Sequence, residues 1–179
     1  MSFLILIRHG QSTWNLEKRF TGWVDVDLTE NGKLEAEKAG ELIKKLNIKI
    51  DAYYSSLQLR AKNTLNIIQK ILNEESKSFS TIWQLNERHY GALTGLNKIE
   101  TINKIGKEKV HEFRRSWDIR PDPLEKESPY HPSNIDTYKD LPKEILPNTE
   151  SLKDTYERVT KFYEDVLKND IKTKNILIS

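Results

Sequence analysis

His9 ends an unbroken apolar run, Phe3-Leu4-Ile5-Leu6-Ile7, and stands between Arg8 and Gly10. A histidine in that place can act as nucleophile, general base or metal ligand. A neighbouring guanidinium suits an anionic reactant, and a glycine lets the main chain approach it closely. A metal centre needs further ligands, yet His89, His111 and His131 have no ligand spacing to one another or to His9, and read as structural or surface residues. Cysteine is absent, which removes thiolate nucleophiles, sulfur-ligated metals and disulfides together. Glu87 lies in Asn86-Glu87-Arg88, either an acid–base carboxyl or a solvated turn with a local ion pair. Arg114-Arg115 puts two cations side by side, to grip an anion or to edge an exposed helix. Trp14, Trp23, Trp83 and Trp117 read as packing residues.

The elements that must position these groups follow from periodicity. The β-branch-rich run to Ile7 predicts a strand buried on both faces, as in parallel sheets. The carboxyl edge of such a sheet is where ligands bind. Thr29 is a cap for a helix whose inner stripe is Ala36, Ala39, Ile43 and Leu46. Asp51 to Tyr54 reads as a second strand, and Ala61, Leu65, Ile68 and Leu72 as the stripe of a second helix. Thr81 to Leu85 is a third strand candidate, and helices over Ile99 to Ile105 and Lys109 to Trp117 are parted by Gly106. All six prolines fall between Asp118 and Asn148, which predicts an insertion running over the surface. Leu152, Tyr156, Val159, Tyr163 and Val166 form one more helical stripe, and Asn175 to Ser179 repeats the grammar of the first strand. Strand–helix alternation predicts an α/β fold.

Composition narrows the function classes. In 179 residues, 29 Lys and Arg face 27 Asp and Glu, a net charge of +2. No polybasic footprint exists for nucleic acid or an anionic membrane, and neither partner is expected. The opening apolar run is too short for a secretory core, and with no cysteine the cytoplasm is the expected compartment.

In chain order the motifs Leu6-Ile7-Arg8-His9-Gly10-Gln11-Ser12-Thr13-Trp14-Asn15, Arg19-Phe20-Thr21-Gly22-Trp23 and Leu85-Asn86-Glu87-Arg88-His89-Tyr90-Gly91-Ala92-Leu93 come first. Gly95-Leu96-Asn97-Lys98, Arg114-Arg115 and Glu150-Ser151-Leu152 follow. With this series the sequence resembles the histidine phosphatase superfamily and, within it, the cofactor-dependent phosphoglycerate mutases. The resemblance implies a three-layer α/β/α fold with a mainly parallel central sheet. It implies interconversion of 2-phosphoglycerate and 3-phosphoglycerate through a phosphorylated His9, primed by 2,3-bisphosphoglycerate and without a metal. It gives Arg8 and Arg60 to the phosphate clamp, Glu87 to proton transfer with the substrate hydroxyl, and Asn15, Thr21 and Gly22 to further polar contacts. Arg88, Tyr90, Lys98, Arg114 and Arg115 match the positions that hold the rest of a phosphorylated three-carbon acid. Homodimers or homotetramers are the family's usual assemblies.

Two departures stand out. Gln11 occupies a position where these mutases often carry glutamate. The family also places a second active-site histidine, followed by glycine and asparagine, just after the strand resembled by Ile176-Leu177-Ile178, whereas this sequence stops at Ser179. The expectation is one domain over residues 1–179, incomplete at its C-terminal part, with a surface insertion at about 95–148. The alternatives are a bisphosphoglycerate synthase/phosphatase or related phosphatase on the same scaffold, and a non-catalytic phospho-ligand binding domain.

Overall fold

The computed structural model describes residues 2–179. In chain order its regular elements are β1 (Leu4–Leu6), α1 (Thr13–Leu16), α2 (Glu30–Lys45), β2 (Ala52–Ser55), α3 (Leu59–Leu72), β3 (Ser80–Thr81), α4 (Lys98–Ile105), α5 (Lys107–Arg115), α6 (Leu152–Phe162), α7 (Lys168–Asp170) and β4 (Ile176–Ile178). A π-helical turn, Tyr163–Leu167, joins α6 to α7. The chain divides into two compact units. Unit 1 holds the residues up to Thr13, Val26–Leu85 and Thr160–Ser179; unit 2 holds Trp14–Asp25 and Asn86–Val159.

Unit 1 is an α/β sandwich on a parallel sheet of order β1-β4-β2-β3. Alternation sorts its side chains onto two faces. Ile5, Tyr53 and Leu177 pack with Ile43 of α2 and with Leu65 and Ile68 of α3. Ala52, Tyr54, Ile176 and Ile178 meet Phe162 and Leu167. Helices therefore cover one face of the sheet, and the other face over β4 and β2. Thr29 caps α2 by accepting from the Gly32 amide, and Gly40 lets α3 come close, since a Cβ there would stand 2.9 Å from Cβ of Ile71.

Several expectations need correction. β1 is an edge strand, and Leu4 and Leu6, on the face that Phe162 and Leu167 cover only over β4 and β2, remain 41% and 69% exposed. The strand buried on both faces is β4, enclosed between β1 and β2. The third strand is only Ser80–Thr81, and Trp83–Leu85 turns into a 3-10 helix. The last helical stripe also differs: Tyr156, Tyr163 and Val166 are exposed, and the inward positions are Arg158, Phe162 and Leu167. The π turn supplies the extra residue between Phe162 and Leu167 that keeps both inward. Leu46, expected in the α2 stripe, lies past the helix end and is exposed.

Unit 2 is built around Phe20, Leu93, Val110 and Phe113, with Tyr90 and Ile102 against them. Its proline-rich stretch is irregular, with short 3-10 turns at Pro132–Asn134, Asp136–Tyr138 and Lys143–Ile145. It is not confined to the surface: Pro121, His131 and Tyr138 are buried. The Tyr138 ring lies 4.9 Å from that of Trp23, and its hydroxyl donates to the Trp23 carbonyl at 2.6 Å. Trp117 departs from the packing expectation; it is 52% exposed and rests on Tyr156.

Candidate active site

In unit 1 the pairing of β1 continues past its end, because the Ile7 amide donates to the Ile178 carbonyl at 2.8 Å. Arg8 and His9 therefore leave the sheet at its carboxyl edge. Arg8 is exposed and His9 half-buried. The ring Nδ1 of His9 lies 2.7 Å from its neighbour's carbonyl, Gly10 O. A carbonyl only accepts, so Nδ1 carries the hydrogen and Nε2 presents its lone pair. Against Nε2 stands Arg60, whose Nε donates at 3.2 Å.

Arg60 is fully buried in the first turn of α3, an end of the helix that favours anions. One turn on, the Thr64 hydroxyl donates to the Arg60 carbonyl at 2.8 Å and accepts from the Gly10 amide at 3.3 Å. His9, Gly10, Thr64 and Arg60 thus form a closed ring of hydrogen bonds. Gly10 has no room for a side chain: a Cβ would sit 2.1 Å from the Gly32 carbonyl oxygen.

In unit 2, residues 18–20 pair with 95–98: the Phe20 amide donates to Leu96 O, Gly95 to Phe20 O, and Lys98 to Lys18 O. This pairing sets Thr21-Gly22 beside the Glu87–Tyr90 loop. Gly22 has φ +56°, and a Cβ there would meet Arg88 O at 3.1 Å and Tyr90 N at 3.3 Å, so both conformation and space call for glycine. Arg88 lies with its guanidinium carbon 4.9 Å from the Tyr90 ring centre and donates through Nη2 to the Arg114 carbonyl at 3.1 Å. Tyr90 and Lys98 both approach the Phe20 ring, at 5.3 and 5.8 Å. Burial, and then the charge of Glu87, push the Tyr90 phenol above its ordinary range. Arg88 and Thr21 are buried, and Thr21 Oγ1, Arg88 Nη1 and Arg114 Nε have no hydrogen-bond partner among the described residues. Such groups are costly to leave unmet.

Of the sequence-predicted residues, unit 1 brings His9 against Arg60, with Arg8 exposed at the same strand tip. Unit 2 gathers Thr21, Gly22, Glu87, Arg88, Tyr90, Lys98 and Arg114. Asn15 lies half-buried on α1, and Arg115 is exposed in the last turn of α5. Sequence reasoning misses Thr64, whose one signal is its place one helical turn after Arg60. It misses Arg158 as well, an arginine among the charges of an exposed-looking helix.

Residues 4–131 match the model of the histidine phosphatase superfamily (branch 1). The 2,3-bisphosphoglycerate-dependent phosphoglycerate mutase of Pelagibacter ubique is 65% identical over 180 residues, covering 100% of this chain and 75% of that protein. The enzyme of the same name from Elusimicrobium minutum is 48% identical, covering 99% and 72%. Among solved structures, phosphoglycerate mutase from Bacillus anthracis shares the fold with a TM-score of 0.71 at 22% identity, covering 99% of this chain and 73% of that one. YhfR of Bacillus stearothermophilus gives 0.68 at 21% identity, covering 100% and 74%. On these matches the chain belongs to the 2,3-bisphosphoglycerate-dependent phosphoglycerate mutases of the histidine phosphatase superfamily.

Proposed function

We propose that the protein interconverts 2-phosphoglycerate and 3-phosphoglycerate through a phosphorylated His9. The observation that carries this reading is the state of the imidazole: its Nδ1–H is tied to Gly10 O, and Nε2 offers its lone pair beside the Arg60 guanidinium. A neutral ring with one fixed tautomer is a nucleophile that need shed no proton before attack. Phosphoryl transfer asks little covalent work of a protein, so positioning and charge stabilisation decide the rate. Arg60, whose N–H points at Nε2, turns to the phosphoryl oxygens as Nε2 attacks, and Arg8 adds a second, exposed cation. Glu87 gives a proton to the departing hydroxyl oxygen and takes one from the hydroxyl that receives the phosphoryl group, help worth roughly 10²–10⁴ in rate.

The orphaned donors of unit 2 fit a phosphorylated acid. Thr21, Arg88 and Arg114, with Tyr90 and Lys98 near them, would hold 2,3-bisphosphoglycerate or substrate, with Asn15, Gly22 and Arg115 as further contacts. When bound, the bisphosphate supplies the phosphoryl group that first charges His9. The same reading expects a cytoplasmic homodimer or homotetramer.

The test is chemical. With 2,3-bisphosphoglycerate and 3-phosphoglycerate, the protein should take up acid-labile phosphate on His9 and yield 2-phosphoglycerate, and His9→Asn should do neither. Isomerisation by His9→Asn, or release of inorganic phosphate in place of isomer, would refute the reading.

A further inference from the structure

Glu150 and Arg158 are both more than nine-tenths removed from solvent. They meet in a two-point ion pair, Arg158 Nε to Glu150 Oε1 at 2.7 Å and Nη2 to Oε2 at 3.1 Å. Burying such a pair is a poor way to gain stability, because desolvation offsets the attraction. Three further hydrogen bonds of these two residues converge on one stretch of main chain. Arg158 Nη2 also donates to the Glu87 carbonyl at 3.2 Å, Glu150 Oε2 accepts from the His89 amide at 2.8 Å, and the Glu150 amide donates to the His89 carbonyl at 3.2 Å. These contacts bracket Arg88 on both sides.

The start of α6 sets this arrangement. Ser151 and Asp154 cap it reciprocally: the Ser151 hydroxyl accepts from the Asp154 amide at 3.2 Å, and the Asp154 carboxylate accepts from the Ser151 amide at 2.7 Å. Glu150 is thereby fixed just outside the helix. Arg158, two turns in, reaches back toward the N-terminus, as long helical side chains do.

We propose that the Glu150–Arg158 pair positions the acid–base loop: by gripping the backbone at Glu87 and His89 it sets where the Glu87 carboxyl and the Arg88 guanidinium stand. Both are positioning residues and neither touches substrate. The proposal rests on the reading of Glu87 as the group that moves the substrate's proton.

A pair that served only to hold the fold together would, when broken, depress every activity alike. Displacement of Glu87 is selective, because proton donation matters to an alkoxide leaving group and hardly at all to a nitrophenolate, which departs as a stable anion. The experiment compares phosphoglycerate isomerisation with p-nitrophenyl phosphate hydrolysis in the full chain and its Glu150→Gln and Arg158→Lys variants. The carboxamide of the first variant still offers an oxygen to the His89 amide but sets an NH₂ against the guanidinium, and the shorter lysine of the second cannot span both partners. Isomerisation kcat should fall by about 10²-fold, the cost of misplacing a reacting group by an ångström, and the phosphoglycerate KM should rise as Arg88 shifts, while nitrophenyl phosphate turnover stays close to that of the parent. Should Arg158→Lys not fold, Glu150→Gln alone decides. Unchanged isomerisation, or an equal fall in both activities, overturns the proposal while leaving the mutase reading standing. A parent protein that neither isomerises nor takes phosphate on His9 fails that reading itself, and this proposal with it.

Discussion

Replacing Thr64 by valine keeps the side chain's volume and removes its hydroxyl, and with it two links of the ring through His9, Gly10, Thr64 and Arg60. The Arg60 carbonyl retains its place in the helix ladder, but the buried Gly10 amide loses its acceptor, and a buried N–H left unmet costs about 1–3 kcal/mol. For a chain of this size each kcal/mol lowers the thermal midpoint by about 2–4 °C, so a drop of roughly 2–12 °C is expected. Gly10 is also the group that orients the imidazole, so a loosened Gly10 should slow phosphorylation of His9 by about 10- to 10²-fold. Thr64→Ser, which keeps the hydroxyl and gives up only a methyl, separates the two effects. It should lose about 1 kcal/mol of stability and label at nearly the parent rate. Rapid-quench labelling from 2,3-bisphosphoglycerate with calorimetry on the same samples reads both quantities. Parent-like labelling by Thr64→Val, or a serine variant as slow as the valine one, would refute the ring as the device that holds His9.

Burial, with help from the charges of His131 and Arg158, depresses His89 to about 3 from its ordinary 6.5. The unfolded chain then binds one more proton than the native one between those values, so the stability due to His89 is complete above pH 6.5 and falls by about 1.4 kcal/mol for each unit of pH below it; in urea titrations at pH 7 and pH 5, His89→Asn should lose less than the parent, and equal losses would refute this. Asp154→Ala removes the α6 capping box and the partner of Arg120 and should cost about 0.5–2 kcal/mol, read as a shift in the urea midpoint; no shift would refute the capping role.

Local grammar makes much of unit 1 legible. The Thr29 cap, the stripe of Ala36 and Ile43 in α2, and that of Ala61, Leu65 and Ile68 in α3 appear where periodicity places them. Exposure is harder to read, because it depends on a strand's neighbours. Leu4 and Ile176 look alike in sequence and share a register, but one lies at the sheet edge and the other in its centre. The stripe of α6 misleads for a different reason: the π turn shifts the phase, and Arg158 is a charge that burial tolerates only because Glu150 meets it. Of the candidate site, the motif residues are visible by type and order, whereas the contacts of Thr64 and Arg158 come from geometry that spacing in the chain does not express.

The order of strands bears on how the protein is made. Among the described residues β1 has β4 as its only partner, Leu4 with Ile176, and β4 is also what joins β1 to β2. On the ribosome, the first strand must therefore wait, unmated, until β2, β3 and the helices between them have emerged and β4 has followed. Contacts between such distant residues form slowly and leave apolar edges open to aggregation meanwhile. The His9 loop, which hangs from that strand, is among the last features of unit 1 to take shape, so a ribosome-bound chain halted before Ile176 would present His9 without the sheet that places it.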